Sequence, residues 1–300
     1  MPPEPRRTFL KRLRQFALAP LLIGGGSAYG YGSLLGRHRV VVESQDLQLS
    51  LGENGPRQLR AVLLSDFHFD PLHETDFVEK CISRANELRA DVAFFTGDFI
   101  SNHSRRIDDL AQILGRIQTP LGAFACLGNH DYADGANVVV QSFKRQGIEI
   151  LQNQHTRVPC GGGELVVAGL QSAWSSRPNW QEASRGMGVD NRAIVLVHEP
   201  DFAKNLHADK KVALQLSGHT HGGQVCLPGL GPLRRPPWGK NYTAGLFDVN
   251  GMALYVTRGI GTMHLPVRLF CPPEITCLNI TNSDFSQAGM SKHPRSSPAA

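Results

Sequence analysis

Five short clusters in the 300-residue chain bring together the residue types that ligate divalent metals: Asp66-Phe67-His68, Gly97-Asp98, Gly128-Asn129-His130-Asp131, His198-Glu199 and Gly218-His219-Thr220-His221. Imidazole nitrogen and carboxylate oxygen suit zinc, manganese or iron rather than calcium. In extended backbone, residues i and i+2 point to the same side, so Asp66 with His68, and His219 with His221, form ready-made pairs. Gly97, Gly128 and Gly218 let the chain turn sharply where a Cβ would obstruct the approach to an ion. Each fragment alone is ordinary. Gly-Asp is a common turn dipeptide, Asn129-His130-Asp131 fits an Asx-type turn, and His198 fits a core histidine. All five arrive in order, each at the end of an apolar run, and that points to chemistry.

Those apolar runs define the elements that must position the clusters. Ala61-Val-Leu-Leu-Ser, Val92-Ala-Phe-Phe-Thr, Ala123-Phe-Ala-Cys-Leu, Ile194-Val-Leu-Val and Val212-Ala-Leu-Gln-Leu are continuous and of strand length, as expected of strands buried on both faces. Between them, Phe77, Val78, Cys81, Ile82, Ala85 and Leu88 follow a helical period, as do Ile107, Leu110, Leu114 and Ile117, and a further helix is predicted over Tyr132 to Gln146. The alternation is that of an α/β protein, in which function collects at the carboxyl ends of the strands. From Glu164 onward, runs such as Leu165-Val-Val-Ala-Gly-Leu, Ala253-Leu-Tyr-Val-Thr and Glu274-Ile-Thr-Cys-Leu-Asn-Ile dominate, which predicts a second sheet packed on the first. Residues 226–245, rich in Gly and Pro, read as a long ordered loop near the site, and residues 283–300 as a loose polar tail.

Asp-x-His, Gly-Asp, Gly-Asn-His-Asp, a separate His and Gly-His-x-His, in this order, resemble the calcineurin-like metallophosphoesterase superfamily, and the match covers residues 58–282. His219-Thr-His-Gly-Gly-Gln, Tyr255-Val-Thr-Arg-Gly-Ile-Gly-Thr, Arg268 and Pro272-Pro-Glu-Ile are similar to an exported branch of bacterial phosphodiesterases. The resemblance implies a four-layer sandwich of two mixed β-sheets flanked by helices. It further implies that Asp66, His68 and His221 bind one divalent ion, that Asn129, His198 and His219 bind a second, and that Asp98 bridges them. Gln171-Ser172 departs from the pattern, since relatives often carry an acidic residue there. Two divalent ions about 3.5–4 Å apart lower the pKa of a shared water and clamp the oxygens of an in-line displacement at phosphorus. His130 is then placed to protonate the leaving oxygen, with Asp131 orienting it, although Asp131 reads almost equally well as a helix N-cap. Arg234, Arg235 and Arg268 are candidate phosphate contacts. The activity expected is phosphodiester hydrolysis. Phosphomonoester or pyrophosphate hydrolysis, and a non-catalytic binding module on the same fold, are the alternatives.

Charge divides unevenly along the chain. Residues 1–39 hold seven basic residues against Glu4, a net +6, which leaves −1 for residues 40–300 out of the total of +5. The body therefore lacks a basic footprint for nucleic acid. The basic start contains Arg6-Arg7-Thr8-Phe9-Leu10-Lys11 and runs into Phe16-Ala-Leu-Ala-Pro-Leu-Leu-Ile. Paired arginines ahead of a moderately apolar run resemble a twin-arginine export signal over residues 1–36, the alternative being a basic flank that orients an N-terminal anchor with its positive end inside. Without a convincing Ala-x-Ala site behind it, this segment would remain as a membrane tether, with the enzyme in the periplasm or on the outer face of the inner membrane, near envelope lipid or polymer substrates. The six cysteines show no Cys-x-x-Cys spacing, so zinc-ribbon and thioredoxin-type chemistry is excluded.

Overall fold

The computed structural model describes residues 26–69, 74–101, 106–161 and 163–284. The paired arginines, the apolar run behind them and the tail from residue 285 lie outside the described residues. Fourteen strands run in chain order: β1 Val41–Leu49, β2 Gln58–Leu64, β3 Val92–Phe95, β4 Ala123–Ala125, β5 Ile148–Ile150, β6 Gln154–Cys160, β7 Gly163–Gly169, β8 Ala193–Leu196, β9 Val212–Ser217, β10 Cys226–Leu227, β11 Gly231–Pro232, β12 Gly245–Val249, β13 Met252–Val256 and β14 Glu274–Asn282. The helices are α1 Thr75–Glu87, α2 Ile107–Leu114, α3 Asn129–Asp134, α4 Ala136–Arg145, α5 Trp180–Ala183 and α6 Ala203–Leu206, with residues 26–34 helical ahead of them.

Two six-stranded sheets dominate, in the orders β1-β14-β2-β3-β4-β5 and β12-β13-β9-β8-β7-β6. Both are mixed. In the first, β14 runs antiparallel to β2 and parallel to β1, while β2 through β5 are parallel. In the second, β13, β9, β8 and β7 are parallel and the edge strands β12 and β6 antiparallel.

Side-chain parity sorts the continuous apolar runs into layers. Leu59, Ala61 and Leu63 of β2, with Phe94 and Phe124, meet Leu165, Val167, Ile194, Leu196 and Leu214 of the other sheet in a central core. The alternate residues Val62, Leu64, Ala93 and Phe95 face α1, α2 and α4 through Phe77, Leu110 and Phe143. On the far side, Val166, Ala168, Val195 and Val197 pack on Trp180, Phe202 and Leu206. The result is the four-layer α/β sandwich expected, helix on sheet on sheet on helix.

Four expectations are corrected. The domain does not begin at residue 58, because β1 pairs along its length with β14 from Val41↔Glu274 to Leu49↔Asn282. The helix expected over Tyr132 to Gln146 is two helices, broken at Gly135 with φ 132°. Residues 226–245 contain the small hairpin β10–β11. Residues 283 and 284, expected in the loose tail, are tied down, since Ser283 N–H donates to Leu49 O and Asp284 accepts from Ser50 Oγ and Gly52 N–H.

Candidate metal centre

The parallel strands β2, β3, β4, β8 and β9 each have one polar cluster just beyond their carboxyl end. Asp66 and His68 follow β2, Asp98 follows β3, Asn129 and His130 open α3 just after β4, His198 follows β8, and His219 and His221 follow β9. The loops are tied to one another: Asp66 N–H donates to Gly97 O at 2.9 Å and His68 N–H to Asp98 O at 3.0 Å. Glycines admit this approach. A Cβ on Gly128 would collide with Asp98 Oδ1, and one on Gly218 with Ser65 Oγ and Asp66 Oδ2.

The ligand atoms gather in overlapping sets, Asp66/His68/His221, His68/Asp98/His130 and Asp98/His198/His219, each with its atoms within 4.8 Å of one another. Asp98 Oδ2 lies 3.4 Å from His68 Nε2 and 3.1 Å from His198 Nε2, so one oxygen faces both sides of the cluster. His68 Nε2 and His221 Nε2 are 3.0 Å apart. Six of the seven expected ligands, Asp66, His68, Asp98, His198, His219 and His221, are thereby brought to one place together with His130, and the seventh, Asn129, lines the same cavity.

Hydrogen bonds on the outer edges of the rings decide what the inner edges present. His198 Nδ1–H donates to Thr96 O at 2.6 Å, and His219 Nε2–H donates to Pro237 O at 2.8 Å. In neutral rings these bonds leave lone pairs on His198 Nε2 and His219 Nδ1, which face each other at 3.2 Å. Facing lone pairs at that distance need a cation between them or a proton on one. Beside them, Asn129 Oδ1 is buried with no hydrogen-bond partner. A divalent ion fits this donor set, because two ligands each about 2.0–2.1 Å from an ion lie close to 3 Å from one another.

Burial and charge set the protonation states. Burial pushes the His68 imidazole down to about 3, and lowers His219 and His221 as well, which keeps these rings in the neutral, ligating form. Burial raises the Asp66 carboxyl to about 6. It acts on Asp98 in the same direction, but the surrounding His198, His68 and His130 outweigh it and hold this carboxyl well below the usual carboxylate range. His198 shows the converse: burial lowers it, and Asp98, Asp66 and Glu199 together carry it well above the ordinary histidine value.

The role expected for Asp131 is corrected. Its carboxylate is fully buried and accepts backbone N–H groups from Asp98 at 2.9 Å, Phe99 at 2.9 Å, Ile100 at 3.3 Å and Gly128 at 2.8 Å. It therefore fixes the Asp98 loop against the start of α3 and has no bond left for orienting His130. Burial raises it to about 7. Gly128, not Asp131, is the N-cap. His130 is held by its backbone instead, its N–H donating to Asp98 Oδ1 at 2.9 Å, and its ring stands edge-on to His68 at 5.0 Å.

Arg268 is also corrected. It is buried and donates to the carbonyls of Arg258, Gly259 and Gly261, so it braces the chain behind His221 and cannot reach substrate. Arg235 donates to Lys240 O, and of the three arginines Arg234 alone lines the cavity. At the departure from the expected pattern, Ser172 Oγ and the Ala173 N–H both donate to the buried Glu199. This holds Trp174 edge-on against His219 at 5.5 Å. Sequence reasoning missed Trp174, since an isolated aromatic between serines carries no period. It also missed why Gly259 and Gly261 matter: they pack against Asp66 and Phe67 with no room for a side chain.

The sandwich and its strand-end cluster define a metal-dependent phosphoesterase. The chain belongs to the calcineurin-like phosphoesterase family, whose model matches residues 59–223. It is a phosphoric ester hydrolase of a family that binds divalent metals. It is 32% identical over 283 residues to an uncharacterized metallophosphoesterase, YkuE, of Bacillus subtilis (strain 168), covering 93% of this chain and 98% of that one. To the phosphodiesterase YaeI of Escherichia coli (strain K12) it is 27% identical, covering 90% and 98%. A transmembrane protein with metallophosphoesterase domain from Danio rerio is 31% identical, covering 88% of this chain and 62% of that protein.

Proposed function

We propose that this chain is a phosphodiesterase with a dinuclear divalent-metal centre, acting at the cell envelope after twin-arginine export. The observation that carries the dinuclear reading is the shared oxygen of Asp98, with Asp66, His68 and His221 gathered on one side of it and His198 and His219 on the other; Asn129, which lines the same cavity with an unpartnered Oδ1, would complete the second set. When bound there, two ions supply the Lewis acidity that activates water and neutralises phosphoryl charge. The chain's own part is positioning and proton traffic. His130 lines the cavity beside the centre, where its ring can hand a proton to the departing alkoxide. Arg234 on the cavity wall is free to meet a phosphoryl oxygen. Trp174 covers His219 and limits water on that side. Diester hydrolysis is favoured over the monoester and pyrophosphate alternatives by the name of one relative, the phosphodiesterase of Escherichia coli.

Elemental analysis of protein purified without chelator should find two divalent ions, manganese, zinc or iron, per chain, with bis-p-nitrophenyl phosphate hydrolysed faster than the monoester. Protein that holds no metal and takes none up on titration would sink the reading. Export rests on Arg6-Arg7-Thr8-Phe9-Leu10-Lys11. Among the described residues no helix is long and apolar enough to cross a membrane. A receptor that reads guanidinium groups rejects lysine, whereas an ordinary basic anchor tolerates it. Arg6→Lys with Arg7→Lys should therefore retain folded, active protein in the cytoplasm, and unchanged export by cell fractionation would refute the twin-arginine route.

A further inference from the structure

The centre sits where two cavities of different character meet. His68, Met263, His264 and Leu265 line both. The larger, about 650 Å³, is walled away from the ligands by Trp174, Val225, Leu233, Pro236, Pro237 and Leu265. Its apolar wall continues onto the surface, for Leu233 is 63% exposed, Leu265 59% and Trp174 48%. In the turn of the hairpin β10–β11, between Val225 and Leu233 in sequence, Leu230 is 80% exposed. Large apolar side chains left open at a pocket mouth mark a site that takes an apolar partner. The smaller cavity, about 330 Å³, is mixed: Arg37, Glu74, Ser101 and Thr262 line it beside the apolar Phe67 and Pro266, so it offers the polar groups that the larger cavity's wall lacks. Arg37 pairs with Glu74 at 3.2 Å through Nη1, while its buried Nε has no hydrogen-bond partner.

We infer that the substrate is an amphiphilic phosphodiester, a lipid phosphate, whose hydrocarbon substituent lies along the Trp174–Leu233–Leu265 wall and whose polar substituent enters the Arg37 cavity. The inference rests on the phosphodiesterase reading and extends it. A diester has two substituents flanking one phosphorus, and the two cavities flank one set of ligands at His68. A symmetric polar diester would leave the apolar wall facing water, and a monoester would leave one cavity empty. The reaction is hydrolysis: one P–O bond to an alcohol breaks, one to the oxygen of water forms, and a proton from water ends on the departing alcohol.

The metal-loaded full chain is assayed on p-nitrophenyl methyl phosphate and p-nitrophenyl hexadecyl phosphate, which share a leaving group and differ only in the alkyl chain. Each methylene buried on the wall is worth about 4-fold in kcat/KM, so three of them give the hexadecyl ester an advantage of roughly 60-fold or more. Leu233→Asp should lower kcat/KM for the hexadecyl ester about 10-fold more than for the methyl ester. Equal kcat/KM for the two diesters overturns the lipid assignment and leaves the phosphodiesterase reading standing. Hydrolysis of p-nitrophenyl phosphate with neither diester touched overturns both.

Discussion

Asp66, His68, Asp98, His219 and His221 all hang from left-handed backbone, with φ of 53°, 43°, 52°, 73° and 50°. Such conformations cost about 1 kcal/mol or more for a residue with a Cβ, and they persist here because interlocked strand-end loops leave no alternative. Asp and His tolerate this region better than branched residues do. Asp98→Asn should accordingly keep the fold while removing the shared charge; elemental analysis is expected to show both ions bound more weakly and turnover to fall by roughly 10³. Loss of one ion with a near-normal rate would contradict the bridging role. Gly128→Ala places a methyl against Asp98 Oδ1, so it should reduce activity at least 10-fold with a smaller effect on melting, measured by assay beside calorimetry. The ligand types and their i, i+2 spacing were legible in the sequence. The left-handed turns were not, because long-range bonds such as Asp66 N–H to Gly97 O impose them. Asp131 shows the same limit, as its partners are backbone groups about thirty residues away in sequence as well as nearby Gly128.

The strands that carry the ligands were readable because burial on both faces writes them as unbroken apolar runs. β1 was not, for the opposite reason: it lies at a sheet edge, only Leu47 among its residues is fully buried, and Glu43, Gln45 and Asp46 interrupt it. Yet β1 covers the edge of β14, and Glu43 meets Arg258 at 2.6 Å, which in turn meets the buried Glu274 at 2.9 Å. A chain starting at residue 58 should therefore be recovered largely as aggregate, since it bares β14 along nine residues and takes Glu43 from Arg258, while a chain starting at residue 37 should stay soluble. Size-exclusion chromatography of the two distinguishes the outcomes. In the central core, Leu214→Ala should cost about 2–5 kcal/mol in denaturant unfolding, as it opens space between two packed sheets.

Across the whole molecule, the ligands come from both sheets: Asp66, His68, Asp98 and Asn129 from the first, His198, His219 and His221 from the second. Ions bound there fasten the two halves of the sandwich together. At 100 times the dissociation constant, ligand linkage contributes about 2.7 kcal/mol, so removing metal with a chelator should lower the melting temperature by about 5–10 °C, and restoring manganese or zinc should recover it. An unchanged melting curve would separate the ions from stability. The order β1-β14-β2 carries a different consequence, for the timing of folding. The last of the described strands lies between the first two, so the first sheet cannot be completed until residue 282 has been synthesised. Its opening strands wait with open edges until residue 282 has emerged, and closing that gap joins segments more than two hundred residues apart. The strands near the start of the domain therefore wait for its far end, and a chain cut before residue 274 would lack the strand that joins β1 to β2.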